Sequence, residues 1–564
     1  MLARLIAIAA ALLLACGTVR AETVVVTATR EFLVLSPEDV ALYKDIFALQ
    51  AQGRMSDADA KIAQLSDKIL MGYVLQQRYL HPSAWNAKPA ELKEWMEAYA
   101  DQAGAEKVYP LARRRAGAKA AIPAPILRVK RDPGEERGEE ISFSGRAAPV
   151  KAKVNALIRD ARPTQALTYI SGAKVRRLLS QTELDALRQL IAWSYFLEGK
   201  DKEAIKLAMA AGEASRDDLP LIDWVIALSS YRLRDYARAG HHFELFARNA
   251  TTSWSRAAGA FWAARCFMIS GQPQKVLSFL GQAATAPETF YGLLALRMLG
   301  RDPPFAWHPL SANSQAIAAL RRSDPAVNRA IALSQVDRRD FAEEELLRVF
   351  GRIAPQHEPA LAALAERLGM PATQMAVAMA SGSSRETIAG RYPIMTPEPE
   401  GGFMLDAALV LAFIRAESAF DPSAVSGSGA RGLLQIMPGT AKHINGETDP
   451  DRLLDGGYNL KLGQLYLQEM LGWGEPSGNI FMLATAFNAG PGNLQKWNGS
   501  VDFQGDPLLY IESVPARQTR IYIERIMANY WIYQYRLKEE RATLDAVAAG
   551  DWPTYRRPAP ARTP

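Results

Sequence analysis

The sequence predicts an all-α fold, with a long region of repeated helices followed by a smaller helical domain near the C-terminus. Three observations carry this reading. Alanine and leucine dominate the chain while long β-branched runs are few, which favours helix over strand. Between about Lys151 and Ser384 large aromatic residues recur every 36 positions, at Tyr195, Tyr231 and Phe267, each just ahead of a polar turn. Past residue 400, Leu409, Val410, Phe413 and Ile414 keep helical spacing behind Asp406, a residue type suited to an N-cap.

Taken in order, the chain opens with Met1-Leu-Ala-Arg4, an apolar run from Leu5 to Ala15 and a small-residue region. That is the pattern of a secretory signal peptide over 1–21, too short to span a bilayer, with cleavage after Ala21. A second reading takes Leu13-Leu14-Ala15-Cys16 as a lipoprotein box, with a lipid anchor through Cys16. Ser36-Pro37-Glu38-Asp39 is a helix start, and an N-terminal helical region is expected over 22–115. Residues 116–150 read as a basic, proline-rich linker or insertion. From Lys107 to Arg159 there are 13 Lys/Arg and 5 Asp/Glu, so this segment carries +8 of a net +6 and the rest of the chain is close to −2. A charge confined to one segment argues against a general nucleic-acid-binding surface. An attraction of this segment to anionic cell wall or lipid is the functional alternative.

Residues 151–390 are expected to be an α-superhelical repeat domain of stacked helix–turn–helix units. The recurring aromatics are read as core between helices. A proline- and glycine-rich stretch from Arg391 to Gly402 then separates a further domain over 391–540. The tail 541–564 is proline-rich and basic and is expected to be disordered. Cys16 and Cys266 are the only cysteines. No Cys/His cluster has zinc spacing, and the adjacent His241 and His242 point to different sides of a helix, so no metal and no cofactor are expected.

The chemistry concentrates after residue 405. Glu417 lies four residues after Phe413 and seven after Val410, on the buried stripe of its helix. Desolvation there raises a carboxyl pKa and keeps the group protonated near neutral pH, as a general acid requires. The plainer reading is a solvated glutamate at a frayed helix end. Gly427-Ser-Gly429-Ala-Arg-Gly432 matches the glycine pattern of dinucleotide sites. That motif needs a strand before it, and here a helix and Asp421-Pro422 precede it, so the glycines serve a turn beside Glu417.

The run Glu417-Ser-Ala-Phe420-Asp-Pro422, followed by Ser426-Gly-Ser-Gly429-Ala-Arg-Gly432-Leu-Leu-Gln435-Ile-Met437-Pro438, resembles the goose-type-lysozyme-like catalytic domain of soluble lytic murein transglycosylases. Two further blocks follow in family order, Ala486-Phe487-Asn488-Ala-Gly490-Pro-Gly492 and Glu512-Ser-Val-Pro515 with Thr519-Arg520-Ile-Tyr522. Thr289-Phe290-Tyr291-Gly292 is similar to a segment of that family's helical domain.

The resemblance implies a superhelical region that closes into a ring under a lysozyme-like α domain, and a bacterial, periplasmic enzyme of cell-wall turnover, or an outer-membrane lipoprotein. It implies cleavage of the β-1,4 bond between N-acetylmuramic acid and N-acetylglucosamine in peptidoglycan, without water, leaving 1,6-anhydromuramic acid ends. Glu417 would be the acid and then the base. Ser426, Gln435, Met437, Phe487, Asn488, Glu512 and Tyr522 would bind the substrate, with Asn488 and Glu512 on the glycan or its peptide stem and Tyr522 supporting them.

Glycosidases usually use two carboxyls. Asp421 reads as a turn residue and Glu512 as a remote candidate, while substrate assistance by the N-acetyl group would let one acid suffice. Two positions depart from the family pattern. Phe487 stands where a tyrosine is expected to hydrogen-bond the acid, and Gln518 stands where a glutamate is usual. Glycan strands are the expected partner, cell-wall synthesis or secretion machinery a second class, and a monomer the expected state. The alternatives are a hydrolytic muramidase and an inactive peptidoglycan-binding scaffold.

Overall fold

The computed structural model of the chain describes residues 32–117, 120–129, 141–381, 388–394, 397–473, 477–500 and 502–557. The signal-peptide segment, Cys16 and the last seven residues lie outside them. Among the described residues the regular structure is helical, with only isolated β-bridges. No described helix is long and apolar enough to cross a membrane.

The described residues divide into two compact units, those up to Val129 with Ala312–Ala360, and those from Ile141 to Ser311 with those from Leu361 to Arg557. The expected repeat domain over 151–390 is therefore interrupted, because Ala312–Ala360 packs with the N-terminal helices. The reason lies in charged side chains buried on that segment. Arg329 bonds Asp101 at 2.7 Å and Glu345 at 2.9 Å, while Glu345 accepts the Tyr73 hydroxyl and the Ala103 amide. Buried ions require such partners, and Tyr73, Asp101 and Ala103 of the N-terminal region supply the ones that this segment does not provide itself. The expected linker is also partly built in. Ile122 is buried, the Ile126 amide bonds Ala100 O at 2.8 Å, and Arg128 pairs with Glu344 at 2.9 Å.

In the second unit the 36-residue period has a clear physical origin. It is carried by three antiparallel helix pairs: Gln181–Leu197 with Asp201–Ser215, Leu221–Arg232 with Tyr236–Asn249, and Ser253–Ile269 with Pro273–Ala283. Each first helix ends in a left-handed residue, Gly199, Arg234 or Gly271. Just beyond it an amide reaches back five residues: Lys200 to Tyr195 O, Asp235 to Ser230 O, and Gln272 to Phe267 O. That is the Schellman way of satisfying terminal carbonyls. The aromatics before these turns are buried between helices, as expected, yet Tyr231 also sends its hydroxyl outward to Asp506 at 2.9 Å.

The segment after residue 400 does not close its own core. Trp531 of the long helix Arg517–Leu537 is fully buried and stacks on Phe290 of the repeat helix Phe290–Met298, with ring centroids 5.2 Å apart. The expected disordered tail is corrected as well. Residues Ala542–Ala549 form a helix, and Trp552 packs against Phe481, Phe503 and Tyr510 at 5.6–6.3 Å. Thr554 bridges to Asn479, and the Tyr555 hydroxyl accepts the Asp406 amide at 3.1 Å. Four aromatic rings and a bonded strap outweigh the composition that suggested disorder.

Trp552→Ala should therefore cost on the order of 2 kcal/mol, less than the 3–5 of a fully buried tryptophan because Trp552 is half-buried. Chemical denaturation measures this. A loss within about 0.5 kcal/mol, the usual tolerance of an exposed site, would return the tail to the disordered class.

Candidate active site

The helix Ala407–Glu417, here called the acid helix, forms where the sequence placed it. The Asp406 side chain caps it by accepting the Leu409 amide at 2.7 Å, and every residue from Ala408 to Ile414 is buried. Its register is set by the long helix. Arg415 donates to Asn529 Oδ1 at 2.9 Å, and Asn529 donates in turn to Ala412 O at 3.4 Å. Glu417 is the last residue of the acid helix and remains partly exposed.

After Ser418 the chain turns sharply through two left-handed residues that are not glycine, Ala419 at φ 50° and Phe420 at φ 68°. Such a conformation costs roughly 1–2 kcal/mol per residue. Phe420 is 1% exposed, so packing of its ring holds the turn. Asp421 accepts the Ser423 amide at 2.9 Å and hydroxyl at 2.7 Å, the Asx turn expected of it.

The glycine-rich segment then folds back as a loop, with bridges from Val425 to Arg431 and from Arg431 to Ile436. Gly432 has φ 76°, and a Cβ there would lie 2.3 Å from Leu453 O and 2.5 Å from Asn459 Nδ2. Asn459 organises the loop, donating to Arg431 O and Leu453 O and accepting the Leu434 amide, all at 2.8–2.9 Å. Sequence reading missed it, because a polar residue inside a helix gives no local signal of its tertiary partner.

Ser426, Gln435 and Met437 are all in this loop. The Ser426 hydroxyl accepts the Ala430 amide at 3.0 Å. Gln435 is left-handed at φ 46° and commits its side-chain nitrogen to Ala424 O and Gly432 O. The Met437 side chain is 40% exposed.

Two expectations about the acid's surroundings are corrected. The hydroxyl that meets Glu417 comes from Tyr522, which donates directly to Oε1. Phe487 instead packs its ring on Phe413, 5.0 Å away, and on Tyr466. Phe487 and Phe413 pack as an apolar pair, and Tyr522 supplies the donor to the acid from another helix. Glu512, expected at the substrate, is 3% exposed and bonds the Tyr291 hydroxyl of the repeat at 2.5 Å. Its carboxyl faces the repeat's aromatic core. Asn488 is partly exposed and accepts the Thr519 hydroxyl at 2.8 Å.

Burial pushes the Glu417 carboxyl up to about 7, and the Tyr522 hydroxyl pulls it partly back. Desolvation penalises the charged form, while a donor to the carboxylate favours it. Protonated below about pH 7 and ionised above, Glu417 can give and take a proton near neutrality. Among the described residues no three His, Cys, Asp or Glu groups come close enough to hold a metal ion.

Two consequences can be measured. Tyr522→Phe removes the influence that lowers the Glu417 pKa, so any activity limited by the protonated acid should persist to higher pH. An alkaline limb that stays put or moves down would show that the hydroxyl does not act on Glu417. Second, the Glu417 pKa is raised on folding from 4.5 to about 7, so the unfolded carboxyl ionises first; stability falls as pH rises across that interval and stays at the lower level above it. Glu417→Gln, which cannot ionise, should raise Tm more at pH 8.5 than at pH 5.5. Equal shifts at both would mean the carboxyl is solvated.

Residues 396–509 match the Transglycosylase SLT domain. The soluble lytic murein transglycosylase of Escherichia coli (strain K12) is 34% identical over 155 residues, covering 26% of this chain and 24% of that protein. The protein of the same name from Salmonella typhimurium is 24% identical over 384 residues, covering 65% of this chain and 56% of that one. The chain thus spans between about a quarter and just over half the length of these curated relatives. Among solved structures, the 70 kDa soluble lytic transglycosylase from Escherichia coli superposes with TM-score 0.51 at 16% identity over 93% of this chain and 99% of that one. The lytic transglycosylase Slt from Pseudomonas aeruginosa gives TM-score 0.56 at 18% identity over 89% and 90%. These likenesses establish the fold as a superhelical helix-repeat region followed by a lysozyme-like α domain. Over the segment 396–509 the chain therefore carries a Transglycosylase SLT domain and is similar there to the soluble lytic murein transglycosylases.

Proposed function

We propose that this chain is a peptidoglycan lytic transglycosylase. It would cleave the β-1,4 bond between N-acetylmuramic acid and N-acetylglucosamine without water and leave 1,6-anhydromuramic acid ends. The observation that carries this reading is a single desolvated carboxyl, Glu417, raised to about 7 and held by one hydroxyl, at the start of the motif run and within the matched segment. The two influences on it are burial and Tyr522. Glu512, the remote candidate for a second carboxylate, is buried against the repeat.

In the proposed reaction Glu417 gives its proton to the glycosidic oxygen as the bond to C1 breaks. The N-acetyl carbonyl of the muramic acid stabilises the oxocarbenium-like centre. Glu417, now ionised and favoured by the Tyr522 donor, takes the proton of the sugar's own 6-hydroxyl as that oxygen attacks C1. The glutamate is regenerated and no water is consumed. A pKa close to neutrality suits a group that must act both as acid and as base. Ser426, Gln435, Met437, Phe487 and Asn488 are proposed to line the groove, and Tyr522 to position the acid. The proposed location is the periplasm, consistent with named relatives that are soluble and others that are membrane-bound. The scaffold alternative was motivated by Phe487, and it loses that motive because Tyr522 supplies the hydroxyl.

Glu417→Gln should lower turnover of purified sacculi by at least ~10²–10⁴, the scale of a lost acid–base group. A variant that keeps a tenth of wild-type activity would take Glu417 out of the mechanism. Mass spectrometry of the muropeptides from the wild-type digest decides the rest. Anhydro ends support the proposal, reducing ends make the chain a muramidase, and no release makes it a binding protein.

A further inference from the structure

We propose that Tyr291 of the repeat is a positioning residue for the Glu417 site, acting through Glu512 and Arg520 on the turn of the long helix that carries Tyr522. The inference rests on the reading of Glu417 as the reacting acid and concerns how the donor to that acid is held.

The short helix Pro507–Ser513 has seven residues, well below the length at which a helix is stable by itself. Tertiary contacts must fix it, and the repeat supplies them at both ends. At the N-terminus Asp506 caps the helix through the Leu508 and Leu509 amides. Asp506 is itself held by the Tyr231 hydroxyl at 2.9 Å and by Arg265 at 2.8 Å. At the other end Glu512 accepts the Tyr291 hydroxyl at 2.5 Å, and that hydroxyl accepts the Trp262 indole N–H at 3.0 Å. Tyr291 is 1% and Trp262 0% exposed.

The chain then turns at Val514-Pro515 into the long helix, and Arg520 pins this corner. Its guanidinium donates to Val514 O at 2.7 Å and lies 4.4 Å from the centre of the Trp193 ring, which belongs to the repeat. Arg520 and Glu512 attract each other across the corner. Thr519 is tied to Asn488 at 2.8 Å. Tyr522 follows two residues after Arg520, and its hydroxyl meets Glu417.

The groups facing Glu512 are Tyr291 and Trp262 from the repeat and Arg520 and Glu524 from the long helix, with Arg517 beside Arg520 and Arg525 beside Glu524. The one titratable group bonded to Glu417 is Tyr522. A hydrogen bond weakens steeply with distance and angle. Loosening the Tyr291–Glu512 bond therefore frees the corner and weakens the Tyr522 donor.

The test is a comparison of Tyr291→Phe, Tyr522→Phe and the double variant. The readout is the ionisation midpoint of Glu417, taken from the protonated-carboxyl infrared band that Glu417→Gln lacks. Tyr291→Phe should raise the midpoint by roughly half a pH unit, the scale of coupling between residues of one network. The double variant should match Tyr522→Phe alone, because both changes act through the same hydroxyl. A wild-type midpoint in Tyr291→Phe, or a double variant that adds the two shifts, overturns the inference. If Tyr291→Phe loses its cooperative thermal transition, Glu512→Gln tests the next link of the same chain, from Glu512 to Arg520, and a wild-type midpoint there overturns the inference as well. This variant keeps an oxygen for the Tyr291 hydroxyl and removes the charge facing Arg520. Because the midpoint is read without substrate, an enzymatically inert wild type would defeat the proposed function and leave this test standing.

Discussion

A carboxyl at the end of a helix buried from Ala408 to Ile414 has little solvent in which to place a charge, and the architecture around Glu417 follows from that. The acid helix is apolar on every side from Ala408 to Ile414, so it must be enclosed by other elements rather than lie on a surface. The long helix encloses one side and delivers two polar groups to it. Asn529 fixes the register of the acid helix through Arg415 and Ala412, and Tyr522 meets the acid itself. Desolvation without the hydroxyl would hold the proton more tightly still. The hydroxyl in open water would leave an ordinary glutamate. Only together do they place the group near neutrality.

The long helix owes its own position to the repeat. Its Trp531 stacks on Phe290, its Arg520 sits over Trp193, and the helix before it is tethered at Asp506 and Glu512. The repeat therefore contributes core and polar anchors to the lysozyme-like domain. This explains why Tyr231 and Tyr291 keep hydroxyls at positions where phenylalanine would fill the same space, as Phe267 does one period on. An aromatic at the end of a repeat helix can serve as packing, and its hydroxyl can still leave the core to hold a neighbour.

What could be read from the sequence was mostly local. The N-cap at Asp406, the buried stripe leading to Glu417, the Asx turn at Asp421 and the 36-residue period each depend on neighbours within a turn or two, and each appears in the structure. The errors were non-local. Tyr522 lies 105 residues from Glu417, and nothing in the spacing says that it rather than the residue at 487 supplies the hydroxyl. The family resemblance implied Glu512 at the substrate, whereas Tyr291, 221 residues away, gives it a buried partner. The tail misled for a similar reason. Its prolines and arginines suggest disorder, but Pro553 and Thr554 complete an edge beside Asn479 and Trp552 fills an aromatic pocket.

Backbone strain points to the same place as the electrostatics. Eight non-glycine residues among those described have positive φ, and three of them, Ala419, Phe420 and Gln435, fall in the seventeen residues 419–435 that follow soon after Glu417. Each costs energy that glycine would spare, and strained residues persist only where the surrounding structure over-determines them. Phe420 is held by burial of its ring, and Gln435 by two bonds from its own side chain to the loop backbone. Glycine at 419 or 420 would relieve the strain, but a relaxed turn would let the chain after Glu417 choose among directions. The strained turn fixes where the glycine-rich loop returns relative to the acid.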